Sequence, residues 1–295
     1  MKHAFLIMAH AYPEQLARLV KSIVSDNHYV FVNIDKKTQG VKIFTNLIKD
    51  SNVYFIDGDE RMSVQHGCYS QVECTLRMIR KAISTEPNID YFHLMSGMDY
   101  MCVSPKNFDN FFKEHAGETF MHFDSKEELA MWRDSKYRNR VCTWHFGDLF
   151  PSRAFPVRAV KKSLQIMFDL FVKRKMIDGI VGGWNWFSWH RSVADYVLNY
   201  HKEHPEYFKR WHYTHCCDEL VFHTLLYTKL SELNIVSNSL RFIEWHPKRE
   251  YKSLPLVLRE SEYDEIVSSG CLICRKVNEP ESRQLLDMLD KKIHI

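Results

Sequence analysis

The chain has 295 residues, a net charge of +3, a hydrophobic fraction of 45% and an aromatic fraction of 14%. A chain of this length buries a large core, and this composition leaves no long disordered stretch. The charge balance gives no reason to expect nucleic acid as a partner, and there is no run of about 18 apolar residues that would indicate an integral membrane protein. The sequence predicts one folded domain over residues 1–295.

The N-terminal segment MKHAFLIMAHAYPEQL is interpreted as a first strand, because polar residues from His10 onward interrupt its apolar run before it reaches spanning length. Without a secretory signal, we expect a cytoplasmic protein whose eight cysteines are reduced thiols. The pair Cys216–Cys217 and the spacing of Cys271 and Cys274 leave a zinc site as the alternative, although they do not form two Cys-x-x-Cys knuckles.

Strand and helix patterns alternate along the first part of the chain. Strands are predicted at HAFLIMA, YVFVNID, NVYFI and DYFHLMSG, and helices at PEQLARLVKSIV, VKIFTNLIKD and YSQVECTLRMIRKAIS. This order favours an α/β fold with a central, mostly parallel sheet and helices on both faces. Ligands of such sheets bind beyond the carboxyl ends of the strands, which are predicted at His10, Asp35, Asp57 and residues 96–99.

The second half of the chain is less regular. Residues 122–150, rich in charged and aromatic side chains, are interpreted as a long loop over the site. Residues 158–175 form a basic amphipathic segment, with an apolar side made of Leu164, Met167, Phe168 and Phe171. A solvated surface helix is one interpretation of this segment, and peripheral contact with an anionic membrane is the other. The segment GGWNWFSWHRSVADYVLNY then predicts an aromatic strand and a helix.

Several familiar nucleotide-binding and hydrolase motifs are missing from the sequence. It has no Gly-x-Gly-x-x-Gly after the first strand, no Walker-type Gly-Lys-Ser/Thr and no Gly-x-Ser-x-Gly elbow. Asp57 and Asp59 have the spacing of carboxylates that hold a divalent cation, but Asp-Gly-Asp is also a turn sequence, and the turn is preferred. At the predicted strand ends, Asp35 can accept hydrogen bonds from a uracil or ribose, and Gly97 permits close approach of a ligand.

Two adjacent carboxylates, Asp218 and Glu219, stand immediately before an apolar helical pattern in THCCDELVFHTLL. The local pattern alone predicts an ordinary helix N-terminus, which Asp218 caps or supports. A Glu in a first helical turn is held ionised by the free N–H groups and the helix dipole, so Glu219 is also available as a base.

Seven segments, in order, resemble the family of core-2/I-branching β-1,6-N-acetylglucosaminyltransferases and peptide xylosyltransferases, glycosyltransferase family 14. They are FLIMAH with EQLARLVKSI, VNIDKK, SVQHGCYSQVECTLRMI, YFHLMSGMDYMCVS, GGWNWFSWHRSVADYVL, CCDELVFHTLL and CLICRKV. The chain resembles a bacterial-type member of this family. The resemblance implies a GT-A-like nucleotide-sugar-binding fold, a nucleotide-sugar donor, inversion at the anomeric carbon and no requirement for a metal. Residues 1–120 would form the nucleotide-sugar-binding half, and residues 121–295 the acceptor-binding and catalytic half.

The resemblance also assigns residues to the site. The Glu of the family's Ser-Pro-Asp-Glu motif corresponds to Glu219, although Cys216–Cys217 replace Ser-Pro here. The basic residue that holds the donor diphosphate corresponds to Lys276, beside Arg275, and Lys252 or Arg249 would replace a second family arginine. The other implied donor-binding residues are His10, Asp35, Val64, Ser70, Gln71, Gly97, Met98 and Asp99. The implied acceptor-binding residues are Trp184, Trp186, Arg138 and Trp245. The three tryptophans could equally be part of the hydrophobic core.

The activity that the resemblance implies is transfer of a sugar to a hydroxyl of a glycan. The expected donor is UDP-GlcNAc, from which GlcNAc would be transferred. Xylose or another sugar is the alternative donor group. We expect Glu219 to take the acceptor proton while Arg275 and Lys276 stabilise the departing diphosphate, so that no cofactor or metal is required. The expected context is synthesis of a bacterial surface polysaccharide or a lipid-linked glycan. A non-catalytic carbohydrate-binding protein on the same fold is the alternative from another functional class.

Overall fold

The structure is a computed structural model that describes residues 1–125, 127–128, 136–152, 154–247 and 249–293. Residues 126 and 129–135, which belong to the loop predicted at 122–150, lie outside the described residues.

A seven-stranded sheet forms the centre of the fold, with the strand order β3-β2-β1-β4-β7-β6-β8. Strands β1 to β4 are mutually parallel, whereas β7 runs antiparallel to both of its neighbours. The α/β fold with a mostly parallel central sheet is therefore confirmed. The strands are β1 (His3–Ala9), β2 (His28–Ile34), β3 (Val53–Phe55), β4 (Tyr91–Ser96), β6 (Thr119–Met121), β7 (Phe187–His190) and β8 (Ile235–Val236).

Helices cover both faces of this sheet. In β1, Ala4 and Leu6 belong to one buried core and Phe5 and Ile7 to the other, because successive side chains of a strand point to opposite faces. The helices are α1 (Pro13–Ile23), α2 (Val41–Leu47), α3 (Tyr69–Thr85), α4 (Pro105–Glu114), α5 (Lys136–Val141), α6 (Phe155–Phe171), α7 (Arg191–Glu203), α8 (Pro205–Lys209), α9 (Val221–Leu226), α10 (Tyr263–Ser268) and α11 (Arg283–Ile293). Residues of α3, α7 and α9 fill the first core, and residues of α1, α4 and α11 fill the second.

A second sheet of three short strands was not predicted. Its order is β5-β10-β9, formed by β5 (Asp99–Met101), β9 (Arg241–Ile243) and β10 (Ile273–Arg275). Asp99 of β5 is the register partner of Arg275 in β10. This small sheet therefore brings the C-terminal part of the chain to the carboxyl end of β4.

Helix α6 confirms the helical prediction for the basic segment, and two of the four residues on its apolar side are exposed. Phe168 packs 5.1 Å from the Trp144 ring, and Leu164 is half-buried, whereas Met167 and Phe171 face solvent. The basic side is also smaller than expected, because the half-buried Arg174 donates hydrogen bonds to backbone carbonyls, including that of Arg210 at 2.7 Å. Over the described ranges, we find no helix with the length and apolar composition needed to cross a bilayer.

The cysteines remain free thiols in the structure. Cys216 packs against Gly67, and Cys274 hydrogen-bonds Cys102 on the small sheet. Among the described residues, the cysteines form no group with the spacing of metal ligands, so the zinc site considered for Cys216, Cys217, Cys271 and Cys274 is not formed.

Candidate functional site

A cleft of about 600 Å³ opens beyond the carboxyl ends of β1, β2 and β4, where the sequence predicted it. The side chains that line it come from distant parts of the chain. Twelve of the predicted site residues are among them: His10, Asp35, Val64, Gln71, Gly97, Met98, Trp184, Trp186, Glu219, Trp245, Arg275 and Lys276.

Asp35 lies at one end of the cleft, directly after β2. Its Oδ1 accepts the backbone N–H of Lys37 at 2.8 Å, and its Oδ2 lies 3.4 Å from the backbone N of Val64. The neighbouring Asn33 holds the backbone of Met62 through two hydrogen bonds, at 2.9 and 3.3 Å. The loop that contains Val64 is therefore fixed beside a carboxylate, an arrangement that can accept hydrogen bonds from a nucleoside.

The strand ends of β1 and β4 approach each other closely at Gly97. A Cβ at this position would lie 3.0 Å from the Cβ of Ala9. The buried Gln15 side chain donates a hydrogen bond of 2.7 Å to the Gly97 carbonyl. Glycine is thus required here by close packing, and the floor of the cleft is backbone.

Arg275 is held rigidly on the cleft wall. Its Nη1 lies 2.5 Å from Asp99 Oδ1 and 3.1 Å from Ser96 Oγ, and its guanidinium stacks 4.0 Å from the Trp186 ring centroid. Burial and the charge of Arg275 lower the pKa of the adjacent Lys276 from its ordinary value. A fixed arginine with a lysine beside it can bind an anion such as a diphosphate.

Glu219 lies on a 3-10 turn, Cys217–Glu219, that precedes α9. Its Oε2 accepts a hydrogen bond of 2.7 Å from Nη1 of Arg140, and its side chain is 39% exposed. The predicted α-helical first turn is therefore replaced by a tighter turn, and an arginine, rather than free helix N–H groups alone, contacts the carboxylate.

Asp218 is buried beside Glu219, and of its two predicted roles, capping or supporting the helix, the structure does not show capping. Cys216, in the left-handed conformation with φ 49°, is the N-cap of the 3-10 turn, Leu220 is the N-cap of α9, and neither makes a side-chain capping bond. Asp218 Oδ1 has no hydrogen-bond partner among the described residues. Burial, together with the negative charge of Glu219, raises the pKa of Asp218 to about 7.

The backbone at Gly183 supports the turn that carries Glu219. The N–H of Gly183 donates to the Glu219 carbonyl at 3.1 Å, and a Cβ on Gly183 would lie only 2.0 Å from the His122 carbonyl oxygen. The buried His223 ring lies 3.1 Å from the carbonyls of His122 and Trp184. Burial lowers the pKa of His223 to about 3, so this ring is neutral and donates from Nε2.

The tryptophans predicted to contact the acceptor differ in their surroundings. Trp184 stacks on the His122 ring with centroids 4.3 Å apart, and Trp186 stacks on Arg275. Trp245 is 38% exposed at the mouth of the cleft. Trp186 therefore belongs to the wall that carries the cations rather than to an open sugar-stacking surface.

Four predicted site residues do not line the cleft. Asp99 is fully buried behind Arg275, and Ser70 donates to Asp148 at 2.5 Å beside a separate cavity of about 550 Å³. Lys252 and Arg138 are exposed on the surface outside it. Arg249, the alternative to Lys252, pairs with Glu262 at 2.9 Å. Asp57 and Asp59 lie at a 3-10 turn, as preferred from the sequence, and not at the cleft.

Asn185 and Arg140 are among the residues of the cleft region that were not identified from the sequence. Asn185 is buried in the cleft lining, and its Nδ2 has no hydrogen-bond partner among the described residues. Its position between Trp184 and Trp186, which were both assigned to the site, could have indicated that Asn185 also lies there. Arg140 contacts Glu219 across 79 positions of sequence, and no local pattern indicates such a contact.

Residues 3–267 match the family model of the Core-2/I-Branching enzyme. A similar protein is the xylosyltransferase of Ciona intestinalis, 22% identical over 95% of this chain and 32% of that protein. Xylosyltransferase 2 of Rattus norvegicus is 23% identical over 97% of this chain and 33% of its own length. The chain thus spans about a third of these relatives. Both are animal proteins, and the bacterial-type member expected from the sequence stays a prediction.

Solved structures resemble this chain only partly. Mouse xyloside xylosyltransferase 1 in its apo form has a TM-score of 0.41 and 10% identity, covering 95% of this chain and 98% of that chain. Core-mannan synthase A of Aspergillus fumigatus has a TM-score of 0.32 and 11% identity, covering 76% and 69%. No conclusion about activity follows from overlaps of this size. Because the family model covers residues 3–267, the chain belongs to the Core-2/I-Branching enzyme family, a family of glycosyltransferases.

Proposed function

We propose that the chain is an inverting glycosyltransferase that moves a sugar from a nucleotide-sugar donor to a hydroxyl of a glycan. One observation carries the proposal: the carboxylates Asp218 and Glu219 and the cations Arg275 and Lys276 line the same cleft. A one-step displacement requires these two groups, because a base must take the acceptor proton while positive charge stabilises the departing diphosphate. Family membership supports the same reaction class.

Glu219 is proposed as the base. Arg140 binds Oε2, which orients the carboxylate and leaves Oε1 for the acceptor hydroxyl. The hydroxyl oxygen forms a bond to the anomeric carbon as the bond from that carbon to the diphosphate oxygen breaks. The proton passes to Glu219, and the electron pair leaves with the diphosphate toward Arg275 and Lys276. Asp218, buried beneath, is assigned a positioning role.

The proposed reaction uses protein cations in place of a metal. The guanidinium of Arg275 is fixed by Asp99, Ser96 and Trp186 before any donor binds, so little reorganisation is needed as charge develops. The fixed position of Arg275 supports the proposal of metal-independent transfer.

UDP-GlcNAc is the proposed donor, and Asp35 is proposed to accept hydrogen bonds from its uracil or ribose. UDP-xylose is the second candidate, because the animal relatives are named xylosyltransferases. The two differ in the hydroxymethyl and N-acetyl groups of the sugar, so the buried Asn185 amide in the cleft lining is a candidate for distinguishing them.

The test is a panel of nucleotide sugars, scored by thermal shift and by release of nucleoside diphosphate. We expect wild type to release it with one donor, and Glu219→Gln to bind the same donor while turning over at least about 100-fold more slowly. Glu232→Gln, at an exposed pair with Lys229, is the matched control and should keep wild-type turnover. Equal turnover in Glu219→Gln removes Glu219 as base, and binding without turnover in wild type indicates a carbohydrate-binding protein.

A lipid-linked acceptor at an anionic membrane surface is also proposed, at helix α6. Leu170 is 68% and Phe171 is 82% exposed, and Ile166 and Met167 extend this apolar ridge. Exposed lysines flank it at Lys162, Lys173 and Lys175. An apolar ridge flanked by cations matches the interface of a membrane with negatively charged headgroups. The cytoplasmic location expected from the sequence stays a prediction.

Vesicle sedimentation tests this surface. We expect binding to phosphatidylglycerol vesicles that weakens at high salt, and a loss of at least about 10-fold in Leu170→Ser/Phe171→Ser. Ile43→Ser, at an exposed apolar position of α2, is the control. Failure of wild type to bind, or equal binding by the helix variant, contradicts the proposal without affecting the catalytic one.

A further inference from the structure

Three side chains meet at the end of the sheet opposite to the cleft. His3 opens β1 and His28 opens β2, and the two are register partners on adjacent parallel strands. Their rings lie 5.3 Å apart, and Asp109 of α4 reaches the same point. Because β1 rises by about 3.3 Å per residue, this cluster lies roughly 20 Å from the cleft.

Both ring nitrogens of His28 lie next to oxygens that only accept hydrogen bonds. Its Nδ1 lies 2.6 Å from the Ile23 carbonyl oxygen, which only accepts, so Nδ1 carries the proton. Its Nε2 lies 2.8 Å from Asp109 Oδ1, which as a carboxylate oxygen also only accepts. A neutral His28 would direct a lone pair at this oxygen. The contact is therefore explained either by a second proton shared by the two groups or by a metal ion that both atoms bind.

His3 distinguishes between these two possibilities. Its Nε2 is buried, has no hydrogen-bond partner among the described residues and lies 3.5 Å from the same Asp109 oxygen. A proton shared by His28 and Asp109 leaves this buried nitrogen unsatisfied, whereas a metal ion would be bound by all three groups.

We propose that Nε2 of His3, Nε2 of His28 and the Asp109 carboxylate bind a divalent transition metal, with zinc as the best match. The three ligand atoms lie within 4.8 Å of one another, and the Asp109 oxygen lies 2.8 Å from Nε2 of His28 and 3.5 Å from Nε2 of His3. Two atoms at about 2.0–2.2 Å from one metal are at most about 4.4 Å apart, so both of these distances permit a common metal. Two imidazoles favour zinc over magnesium or calcium. The Asp109 side chain is 18% exposed, which gives a water access to a fourth position.

Bound there, the metal ties together β1, β2 and α4. Phe5, Phe108 and Phe112 surround the histidine rings, so the metal would stabilise the fold rather than take part in the reaction of the cleft. The proposal is therefore independent of the proposed transferase activity.

Cobalt titration of the full chain, without a histidine tag and after dialysis against EDTA, tests the site. We expect one equivalent of cobalt to bind. Its absorption spectrum should be typical of nitrogen and oxygen ligands and should lack a thiolate charge-transfer band. Zinc at about 100 times its Kd should raise Tm by about 5 °C. Asp109→Asn should bind at least about 10-fold more weakly. Glu118→Gln, at the exposed His115–Glu118 pair, should bind as wild type does.

No tightly bound cobalt in wild type, or a spectrum with thiolate bands, would overturn the proposal. It would also be overturned by equal affinity in Asp109→Asn and wild type, or by equal losses in Asp109→Asn and Glu118→Gln. Should Asp109→Asn fail to fold, the stoichiometry and spectrum of wild type decide alone.

Discussion

At the level of single residues, Asp218 has the most unusual environment in the cleft. Its carboxyl is buried next to Glu219, and its pKa is raised to about 7, whereas an unfolded chain releases this proton near about pH 4. The folded state therefore holds more protons between these values. The stability that the protonated carboxyl contributes is complete below about pH 4 and is lost as the pH rises through about 7.

We therefore predict a pH-dependent effect of Asp218→Asn. Asparagine cannot ionise, so the Tm of the variant relative to wild type should rise by about 3 °C between about pH 6 and about pH 8. Thermal unfolding of both proteins across this range measures the difference. A constant difference would show that Asp218 does not titrate in this range.

A second prediction concerns the shape of Arg275 rather than its charge. Arg275→Lys keeps one positive charge but loses the planar group that stacks on Trp186 and bonds Asp99 and Ser96. We expect the KM for the nucleotide sugar to rise by about 10-fold, because a lysine cannot make both contacts.

Steady-state kinetics with the donor varied provide the measurement for Arg275→Lys. Arg259→Lys, at an exposed pair with Glu281, is its control and should leave the KM unchanged. An unchanged donor KM in Arg275→Lys would place the diphosphate elsewhere in the cleft.

The sequence identified many of these residues for one physical reason. Residues at the carboxyl ends of parallel strands converge on one edge of a sheet, which brought His10, Asp35 and Gly97 together. The pairing of Arg140 with Glu219 could not be predicted, because it depends on how a distant helix packs. The same holds for the burial of Asp99, which follows from its register with Arg275.

At the level of elements, regular periodicity decided what could be predicted. Strand β1 is a continuous buried run, and α3 has 17 residues, so both were evident. Strands β5, β9 and β10 have three residues each, too few to show a period. In α6, the period correctly predicted a helix, but exposure of Phe171 depends on what packs beside the helix, which no local pattern contains.

The packing of the segment after α6 gives a prediction for Gly183→Ala. A methyl group there would meet the His122 carbonyl at 2.0 Å and the His223 ring at 2.6 Å, so the backbone under Glu219 must move. We expect the variant to lose about 3 kcal/mol of unfolding free energy and most of its turnover.

Urea unfolding and the transfer assay together check this prediction for Gly183→Ala. Gly270→Ala provides the control, because its left-handed φ of 69° makes alanine unfavourable while the added methyl meets nothing within 4 Å. We expect it to cost about 1 kcal/mol and to leave turnover unchanged. Equal losses in the two variants would show that steric contact at Gly183 is not the cause.

At the level of the whole molecule, the parallel strands separate two kinds of chemistry. Their carboxyl ends carry the cleft with its fixed cations, and the amino ends of β1 and β2 carry His3 and His28. Since the two ends share only the sheet between them, a ligand at one end can stabilise the protein without touching the reaction at the other.

Chelation of zinc-loaded protein should therefore separate stability from activity. We expect EDTA to lower Tm by about 5 °C, because the cluster of His3, His28 and Asp109 loses its metal. The transfer rate well below Tm should stay within about twofold, since Arg275 and Lys276 of the cleft are proposed to supply the charge that a catalytic metal would supply. Parallel Tm and transfer measurements, with and without EDTA, check both expectations. Loss of transfer that manganese restores would contradict metal-independent catalysis, whereas an unchanged Tm would count against the histidine site alone.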